Sequence, residues 1–404
     1  MASIPAPKRS IAPVPPPLAW SEPDRARLRN DLREAFVPAL AGATGWSFAV
    51  VDADGRTLYD DRAQRAVAPA STQKLIVAAA ALDALGAGYR YHTMLAARDG
   101  IGPAGTIPGD LWLIGSGDPS LLSQDVRNGI GMLWRSGLRN VAGSVRVDVT
   151  ALRGPGLNPH WERSDNGQDY AAPVSGISLD GNTVESQQND EKVWTPIQDP
   201  ARYAADQTSA MLRARGVSVR DRPGVAAAPL DAVVLWDHRS APLPALETHM
   251  LFLSDNHYAE QLLRTVGGEI VGQPNDGGGV EAEEQFLQRS NIPIPGLRLY
   301  DGSGLSGDNR VAAITLARLL AQEEPAIYLL LPLGGRQGTL EDYDFTTALG
   351  RVRAKSGHLS DVAALAGYVT TLHHGRVAFT FMIDGSRGDP DAAIVRAVDR
   401  LAVF

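Results

Sequence analysis

The fold is decided by one stretch of the chain, Ser71-Thr72-Gln73-Lys74-Leu75-Ile76-Val77-Ala78-Ala79-Ala80-Ala81. The apolar run continues to Leu85, so we expect a helix that is buried on all sides. Ser71 and Lys74 are three residues apart, which puts both side chains on one face of a helix, one turn apart. A hydroxyl becomes a nucleophile when a neighbouring base takes its proton, and a buried lysine can serve as that base. The stretch therefore predicts a central helix with a reactive serine at its start.

Lysine is rare in this chain, and its positions carry information. Of the 38 lysines and arginines in the 404 residues, only four are lysines: Lys8, Lys74, Lys192 and Lys355. Arginine stays protonated in proteins, whereas a buried lysine can lose its proton. Lys355 opens Lys355-Ser356-Gly357, and Ser254-Asp255-Asn256 lies between this motif and the first one. The three motifs together predict a serine nucleophile activated by lysine.

The three motifs divide the catalytic work among five side chains. Ser71 is the nucleophile, and Lys74 is expected to be its neutral general base. Lys355 is expected to be the second cation, which keeps Lys74 neutral and receives the substrate. Ser254 would relay a proton to the leaving amine, and Asn256 would hold the substrate amide and orient Lys74.

The backbone around the third motif is expected to complete the site. Gly357 would let its strand approach the substrate closely. The backbone N–H groups of Ser71 and His358 would form the oxyanion hole.

Composition excludes several classes of protein. Apolar residues make up 44% of the chain and charged residues 21%, which is typical of a globular protein. The net charge of −8, without a basic cluster, argues against binding nucleic acid or an anionic membrane surface. The absence of cysteine excludes disulfides, thiolate catalysis and cysteine-based zinc sites. No apolar run approaches the roughly 20 residues that span a bilayer.

The chain is expected to contain two folded domains after a tail. Residues 1–20 are Pro-rich and are expected to be a tail or linker; whether a signal or anchor has been removed upstream is left open. Residues 21–99 and 236–404 share strands, an antiparallel hairpin and flanking helices, so we expect one discontinuous domain. Residues 100–235 alternate short strands with Gly/Pro turns and are expected to form an inserted α/β domain. The glycine-rich segment 272–279 is expected to be a flexible loop.

Further segments resemble a known family, the penicillin-recognising serine hydrolases. Within it, the chain is similar to the class C low-molecular-mass penicillin-binding proteins, the D-alanyl-D-alanine carboxypeptidase/endopeptidases of peptidase family S13. The resemblance covers nearly everything after the tail. It is carried by the three motifs and by Asp301-Gly302-Ser303-Gly304-Leu305-Ser306, Gly115-x-Gly117-Asp118-Pro119-x-Leu121 and Leu365-Ala366-Gly367-Tyr368.

The resemblance implies a fold, an activity and a location. The fold class would be α/β (α+β), a penicillin-binding transpeptidase/β-lactamase-like domain with an antiparallel sheet flanked by helices. Ser71 would be acylated by the D-Ala-D-Ala end of a peptidoglycan stem peptide, by a D-configured cross-link or by a β-lactam. No metal, organic cofactor or nucleic acid is implied, and the oligomeric state is left open. Because the substrate is extracytoplasmic, the protein would work in the periplasm or cell-wall space, soluble or tethered.

The chain departs from the family pattern in its insert and in its third motif. Ser71 and Ser254 are closer in sequence than in members with two nested inserts, so we expect one insert to be reduced or lost. Ser356 keeps a hydroxyl that can bind a terminal carboxylate. His358 replaces a second hydroxyl, which would weaken carboxylate recognition or make it pH-dependent, unless its backbone alone matters.

A second departure concerns recognition of the substrate side chain. Gly307 follows Leu305 and Ser306 where the family usually has an arginine that binds a side-chain carboxylate, and Arg310 is too far along the chain to replace it. Asp165, with Tyr170 five residues later, resembles the acidic residue that pairs with the side-chain ammonium; a loop cap is the alternative. Leu305 is a further candidate for substrate binding.

Two other functions are weighed against a D,D-peptidase. A serine β-lactamase also carries Ser-Asp-Asn, although its second motif lies far closer to the first. A cell-wall-binding scaffold with an impaired site is the other alternative, since Gly307 and His358 depart from the pattern. Acylation by penicillin distinguishes these functions: stable labelling, rapid turnover and no labelling correspond to the three in turn.

Overall fold

The computed structural model describes residues 17–188 and 191–404. Most of the expected tail, residues 1–16, lies outside the described residues. The end of the tail packs on the body of the protein, where the Leu18 N–H donates to the His373 carbonyl oxygen at 2.8 Å. Trp20 stacks on His374 with 4.2 Å between ring centroids. Residues 17–20 therefore contact the turn at 373–375.

The described residues form the following helices and strands. The helices are α1 (Glu22–Phe36), α2 (Lys74–Leu85), α3 (Ser123–Arg135), α4 (Pro200–Ala214), α5 (Leu243–Leu253), α6 (Asn256–Val271), α7 (Asp276–Arg289), α8 (Ala313–Gln322), α9 (Glu324–Ile327) and α10 (Pro390–Ala402). The strands are β1 (Gly45–Val51), β2 (Thr57–Asp61), β3 (Ala66–Val67), β4 (His92–Ala97), β5 (Thr106–Ile107), β6 (Leu111–Gly115), β7 (Asn140–Val141), β8 (Val145–Asp148), β9 (Thr183–Gln188), β10 (Glu191–Pro196), β11 (Ser218–Val219), β12 (Gly224–Val225), β13 (Val233–Arg239), β14 (Val311–Ala312), β15 (Val352–Leu359), β16 (Val362–Thr370) and β17 (Arg376–Asp384).

The first and last parts of the chain share one five-stranded sheet. Its order is β15-β16-β17-β1-β2, with every neighbouring pair antiparallel. Helices α1 and α10 pack together on one face, over a core that includes Phe48 and Phe381. The other face carries α8, with α2 and the remaining helices of this part beyond it. The strands alternate between these two cores, so both faces of the sheet are buried.

Helix α2 lies in the middle of the helical layer. It contacts α5, α6, α7 and α8, and its residues from Lys74 to Ala81 are all buried. Short alanine side chains allow the surrounding helices to approach it from every side. The predicted burial of this helix places Lys74 where water cannot solvate its charge.

The inserted domain has its own five-stranded sheet, of order β12-β8-β6-β4-β13, with α3 and α4 packed on it. Its first and last strands, β4 and β13, pair with each other at the ends of the insert. The two chain segments that join the insert to the rest of the protein also pair, since the Ser240 N–H donates to the Tyr91 carbonyl oxygen at 3.0 Å. The insert therefore runs from 92 to 239, wider than the expected 100–235, because strand pairing assigns both flanking strands to it.

A separate two-stranded hairpin of β9 and β10 lies outside the insert's main sheet. The sequence pattern predicts no hairpin here. Its strands are rich in polar residues, and β10 is mostly exposed. Such a pattern lacks the alternation that marks a strand with one buried face.

The glycine-rich segment 272–279 is not a loop throughout, contrary to the expectation. Helix α7 begins at Asp276, with the Asn275 side chain accepting from the Gly278 N–H. The glycines allow α6 and α7 to pack closely: a Cβ at Gly279 would overlap the side chain and carbonyl oxygen of Leu263. Glycine here serves close helix packing rather than flexibility, a distinction that composition cannot make.

No helix within residues 17–188 and 191–404 is both long enough and apolar enough to cross a membrane.

The close contact of α6 and α7 predicts the effect of adding one methyl group. Gly279→Ala should lower the free energy of unfolding by about 1–3 kcal/mol, since overpacking forces the helices apart. Gly277→Ala is the matched control, because a Cβ there meets its nearest atom at an ordinary 3.5 Å. The control should keep or raise stability by up to about 1 kcal/mol, as alanine favours a helix over glycine. Urea denaturation measures both, and equal midpoints for the two variants would contradict the packing argument.

Candidate active site

Ser71 lies in a tight turn at the start of the central helix. Residues Ala70–Gln73 form a turn of 3-10 helix, and α2 continues from Lys74. Side chains three residues apart eclipse one another in a 3-10 helix. Lys74 Nζ accordingly lies 2.9 Å from Ser71 Oγ. Ala70 has a left-handed backbone with φ of 46°, a conformation that is rare outside glycine and is found often at functional sites.

Three oxygens from distant parts of the chain surround the Lys74 amine. Besides Ser71 Oγ, it donates to Asn256 Oδ1 at 2.7 Å and to the Ser303 carbonyl oxygen at 2.8 Å. The lysine is fully buried. Its Nζ is therefore held against the serine hydroxyl with a single geometry.

Lys355 lies on strand β15, on the side of the site that the sheet forms, and its surroundings resemble those of Lys74. It is also fully buried, and its Nζ donates to Ser254 Oγ at 2.9 Å and to the Ser356 carbonyl oxygen at 2.7 Å. Ser254 ends α5 in a left-handed conformation with φ of 59°. Ser356 Oγ lies 2.8 Å from Thr339 Oγ1, so two hydroxyls meet beside Lys355.

Burial lowers the pKa of both lysines, but their surroundings differ. Burial lowers the pKa of Lys74 to about 8, opposed by the carboxylates of Glu260, Asp301 and Asp255. Burial and the positive charge of Lys74 hold the pKa of Lys355 well below its usual range. Each amine is therefore easier to deprotonate than that of an exposed lysine. The expected division of roles, with Lys74 as the base and Lys355 as the cation, stays a prediction.

Gly357 lets β15 pack against the turn that carries the nucleophile. A Cβ at this position would lie 2.9 Å from the Ser71 nitrogen, too close for any other residue. The expectation was close approach to the substrate; the structure shows close approach to the nucleophile turn.

The backbone N–H and the side chain of His358 point to different parts of the protein. Ala354 N–H donates to the Pro332 carbonyl oxygen across the outer edge of β15, and residues two apart in a strand point the same way. The His358 N–H therefore points to that outer edge too. Its ring is exposed and bonds Asp391 Oδ1 at 2.8 Å on α10, away from the two lysines. The structure favours the alternative in which only the backbone of His358 serves the site.

The loop 301–303, part of a segment that carries the family resemblance, supports Lys74 and is itself held by Glu260 of α6. The Glu260 carboxylate accepts from the N–H groups of Gly302 and Ser303 at 2.8–3.2 Å and so holds the Ser303 carbonyl toward Lys74. Burial raises the pKa of Glu260 to about 8. Asp301 accepts from the Trp161 indole N–H of the insert at 2.9 Å. Glu260 follows Asn256 by one helical turn, a spacing that could have identified it.

Within residues 17–188 and 191–404, no group of three or more His, Asp or Glu side chains is arranged to hold a metal ion. The chemistry of the described site rests on hydroxyl, amide and amine groups.

The profile of the D-Ala-D-Ala carboxypeptidase 3 (S13) family matches residues 30–192 and 184–403. This chain belongs to that family. The predicted S13 membership is confirmed, and with it a serine-type peptidase.

Individual relatives align over nearly the whole chain. A D-alanyl-D-alanine carboxypeptidase of Actinomadura sp. (strain R39) is 29% identical over 485 residues, covering 100% of this chain and 90% of the relative. A carboxypeptidase of Mycobacterium tuberculosis is 31% identical over 431 residues, covering 97% of this chain and 89% of the relative.

The crystal structure of penicillin-binding protein 4 from Haemophilus influenzae has a TM-score of 0.83 at 22% identity, covering 92% of this chain and 98% of that one. The same protein has also been solved with a β-lactam. The predicted fold class, a penicillin-binding domain with an antiparallel sheet flanked by helices, is confirmed.

The S13 family model matches this chain in two ranges that overlap at residues 184–192. The overlap lies in the segment spanned by β9 and β10.

The insert of this S13 peptidase contacts Asn256, which bonds Lys74, through Tyr170. The Tyr170 carbonyl oxygen accepts from Asn256 Nδ2 at 3.0 Å, and its hydroxyl donates to Asp165 Oδ1 at 3.0 Å. The other Asp165 oxygen accepts from the Glu162 N–H, and the residue is only 9% exposed. These contacts favour a positioning role for Asp165, as a turn cap that holds Tyr170, over the expected binding of a substrate ammonium.

The loop around Gly307 contains no free arginine for a side-chain carboxylate. The Arg310 guanidinium donates to the carbonyl oxygens of Gly307 and Asn309 at 2.6 and 2.7 Å. Gly307 is exposed, and a Cβ there would meet no atom within 4 Å. Leu305 is half-buried two residues after Ser303. The family's arginine position is therefore open space in this chain.

Proposed function

We propose that this protein cleaves the D-Ala-D-Ala end of peptidoglycan stem peptides through an acyl-enzyme on Ser71. The observation that supports it most directly is the buried Lys74 amine, bonded to Ser71 Oγ, Asn256 and the Ser303 carbonyl. A neutral amine held at 2.9 Å from a hydroxyl has the geometry of a general base.

Acylation follows from this geometry. Neutral Lys74 takes the Ser71 proton while Oγ attacks the carbonyl carbon of the penultimate D-Ala. The N–H groups of Ser71 and His358 stabilise the oxyanion, and Asn256 holds the substrate amide. The C–N bond breaks, and the leaving amine takes a proton by way of Ser254. Water then hydrolyses the ester and restores the Ser71 hydroxyl.

The substrate itself completes the charge distribution. A terminal carboxylate beside Lys355 and the Ser356–Thr339 hydroxyl pair would favour the protonated form of Lys355. A charged Lys355 in turn disfavours a second charge at Lys74, because both amines are buried. This charge distribution supports the expected roles in the substrate complex, with Lys74 as the base and Lys355 as the cation.

The proposed substrate implies which inhibitors acylate the protein and in which compartment it works. A β-lactam would acylate Ser71 in the same geometry, as the β-lactam complex of the Haemophilus influenzae protein supports. Since peptidoglycan lies outside the cytoplasm, we place the enzyme in the periplasm or cell-wall space. Cleavage of D,D cross-links uses the same acyl-enzyme, because the scissile bond again follows a D-Ala carbonyl.

Exchanging lysine for arginine tests the base directly. Lys74→Arg should lower fluorescent-penicillin labelling and D-Ala release from a stem pentapeptide by at least about 10³-fold, since arginine cannot accept the proton. Ser71→Ala should abolish both. Lys192→Arg is the control: this exposed lysine pairs with Glu185 on the hairpin and should keep full activity.

Three outcomes separate the possible functions. An active Lys74→Arg variant would overturn the role of the base. Rapid turnover of penicillin without D-Ala release would indicate a β-lactamase, and no labelling of the folded wild type would indicate a scaffold.

The rate of acylation should depend on pH through Lys74. Burial lowers its pKa to about 8, and the neutral amine is the active form. Acylation by penicillin should therefore rise about tenfold per pH unit below this pKa and level off above it. The substrate carboxylate can move the midpoint lower but not reverse the slope. Stopped-flow acylation between pH 6 and 9 measures this, and a rate that falls with rising pH would exclude a neutral Lys74 as base.

The open position at Gly307 predicts weak recognition of a side-chain carboxylate. Pentapeptides with a free or an amidated carboxylate on the third residue should differ by less than about threefold in kcat/KM, since no unpaired arginine of this loop reaches it. Gly307→Arg should create a preference for the free carboxylate of about three- to tenfold. Steady-state D-Ala release measures both. A large loss on amidation in the wild type would show that another cation binds the carboxylate.

A further inference from the structure

Exposed apolar side chains gather in one groove beside the catalytic residues. Leu122, Tyr170, Trp194 and Leu253 are 52%, 46%, 43% and 60% exposed. All four line a groove of about 640 Å³, which we call the hairpin groove because Trp194 comes from β10. Large apolar side chains left in water at one place mark a binding site.

The hairpin groove is continuous with the catalytic site. Ser254 and Asn256, which bond Lys355 and Lys74, are part of its wall. The Ser356–Thr339 hydroxyl pair, proposed above to bind the substrate carboxylate, is not among its lining residues. If the terminal carboxylate of a stem peptide lies at that pair, the opposite end of the peptide therefore extends into the groove.

The charges of the groove exclude a carboxylate-rich ligand. Its lining includes Asp169, Asp180 and Asp255 but no lysine or arginine. The two exposed aromatic rings, those of Tyr170 and Trp194, and the carboxylate oxygens together suit a neutral ligand that has both an apolar face and hydroxyl groups. An aromatic ring packs on the apolar face, and carboxylates accept from hydroxyl groups.

We propose that the hairpin groove binds an amino-sugar residue of the glycan strand to which the stem peptide is attached. This inference rests on the proposed function, since it assumes that a stem peptide occupies the site. Four extended residues between the sugar and the scissile bond span at most about 14 Å. A sugar within this distance of the scissile bond can reach the hairpin groove, because Ser254 and Asn256 belong to both the groove and the catalytic site.

Trp194 is the residue that carries this specificity. It lies on β10 opposite Glu185 of β9, two residues beyond the overlap of the two S13 ranges. The hairpin supplies an aromatic wall on the rim of the groove. The hairpin thus acts as a recognition element for the glycan in this chain.

A comparison of two substrates tests the proposal. One is a disaccharide pentapeptide, and the other is the same pentapeptide without sugars. We expect the wild type to have a higher kcat/KM for the glycosylated substrate. Trp194→Ala should reduce the ratio of the two kcat/KM values by about three- to tenfold, mainly through KM, as expected for one lost stacking contact.

Val184→Ala is the matched control on the same hairpin. Val184 is 40% exposed but does not line the groove, so its removal should leave the ratio unchanged. Fluorescent-penicillin labelling of Ser71 checks that each variant is folded and active.

The remaining outcomes are separable. A wild type that does not distinguish the substrates, or a Trp194→Ala variant with an unchanged ratio, would overturn glycan binding. An equal loss for both substrates would assign the groove to the peptide instead. No D-Ala release from either substrate by the wild type would refute the proposed function rather than the groove.

Discussion

Two lysine amines buried on either side of the Ser254–Asn256 segment are the constraint on which the rest of the site depends. A buried ammonium is stable only when several acceptors surround it, and a buried neutral amine still needs partners for its hydrogens. Lys74 obtains them from Asn256 and the Ser303 carbonyl, and Lys355 from Ser254. Every segment that approaches the nucleophile does so while satisfying one of these two groups.

The inserted domain is part of this arrangement rather than an independent module. The Tyr170 carbonyl fixes the Asn256 amide, and the Trp161 indole fixes Asp301 under the Ser303 loop. Ser178 of the insert also bonds the buried His257 ring at 2.5 Å. Asn256 bonds both Tyr170 of the insert and Lys74. A movement of the insert would therefore change the position of the Lys74 amine. Catalytic geometry and recognition by the insert are therefore coupled.

Sequence reasoning worked where a local pattern has a local consequence. The buried helix α2 followed from its run of apolar residues, and the family followed from the resemblance of several motifs; the catalytic roles of the three motifs stay predictions. It failed where the same pattern serves two purposes. The segment 272–279 was expected to form a loop, but Gly279 allows two helices to touch. The hairpin that carries Trp194 has no buried face and so leaves no periodic signal.

By itself, the sequence determined the fold family, because several of its motifs resemble those of one family. It also predicted a nucleophile and a base from residue types at short spacing, and an inserted domain from a change in the pattern of elements. The tertiary structure decided the environment of the two lysines. Burial lowers the pKa of both, and Glu260 and Asp301, which lie far along the chain from Lys74, oppose this shift at Lys74. The structure also decided that the ring of His358 turns away from the two lysines, because in a strand the side chain stands perpendicular to the sheet while the N–H lies in its plane.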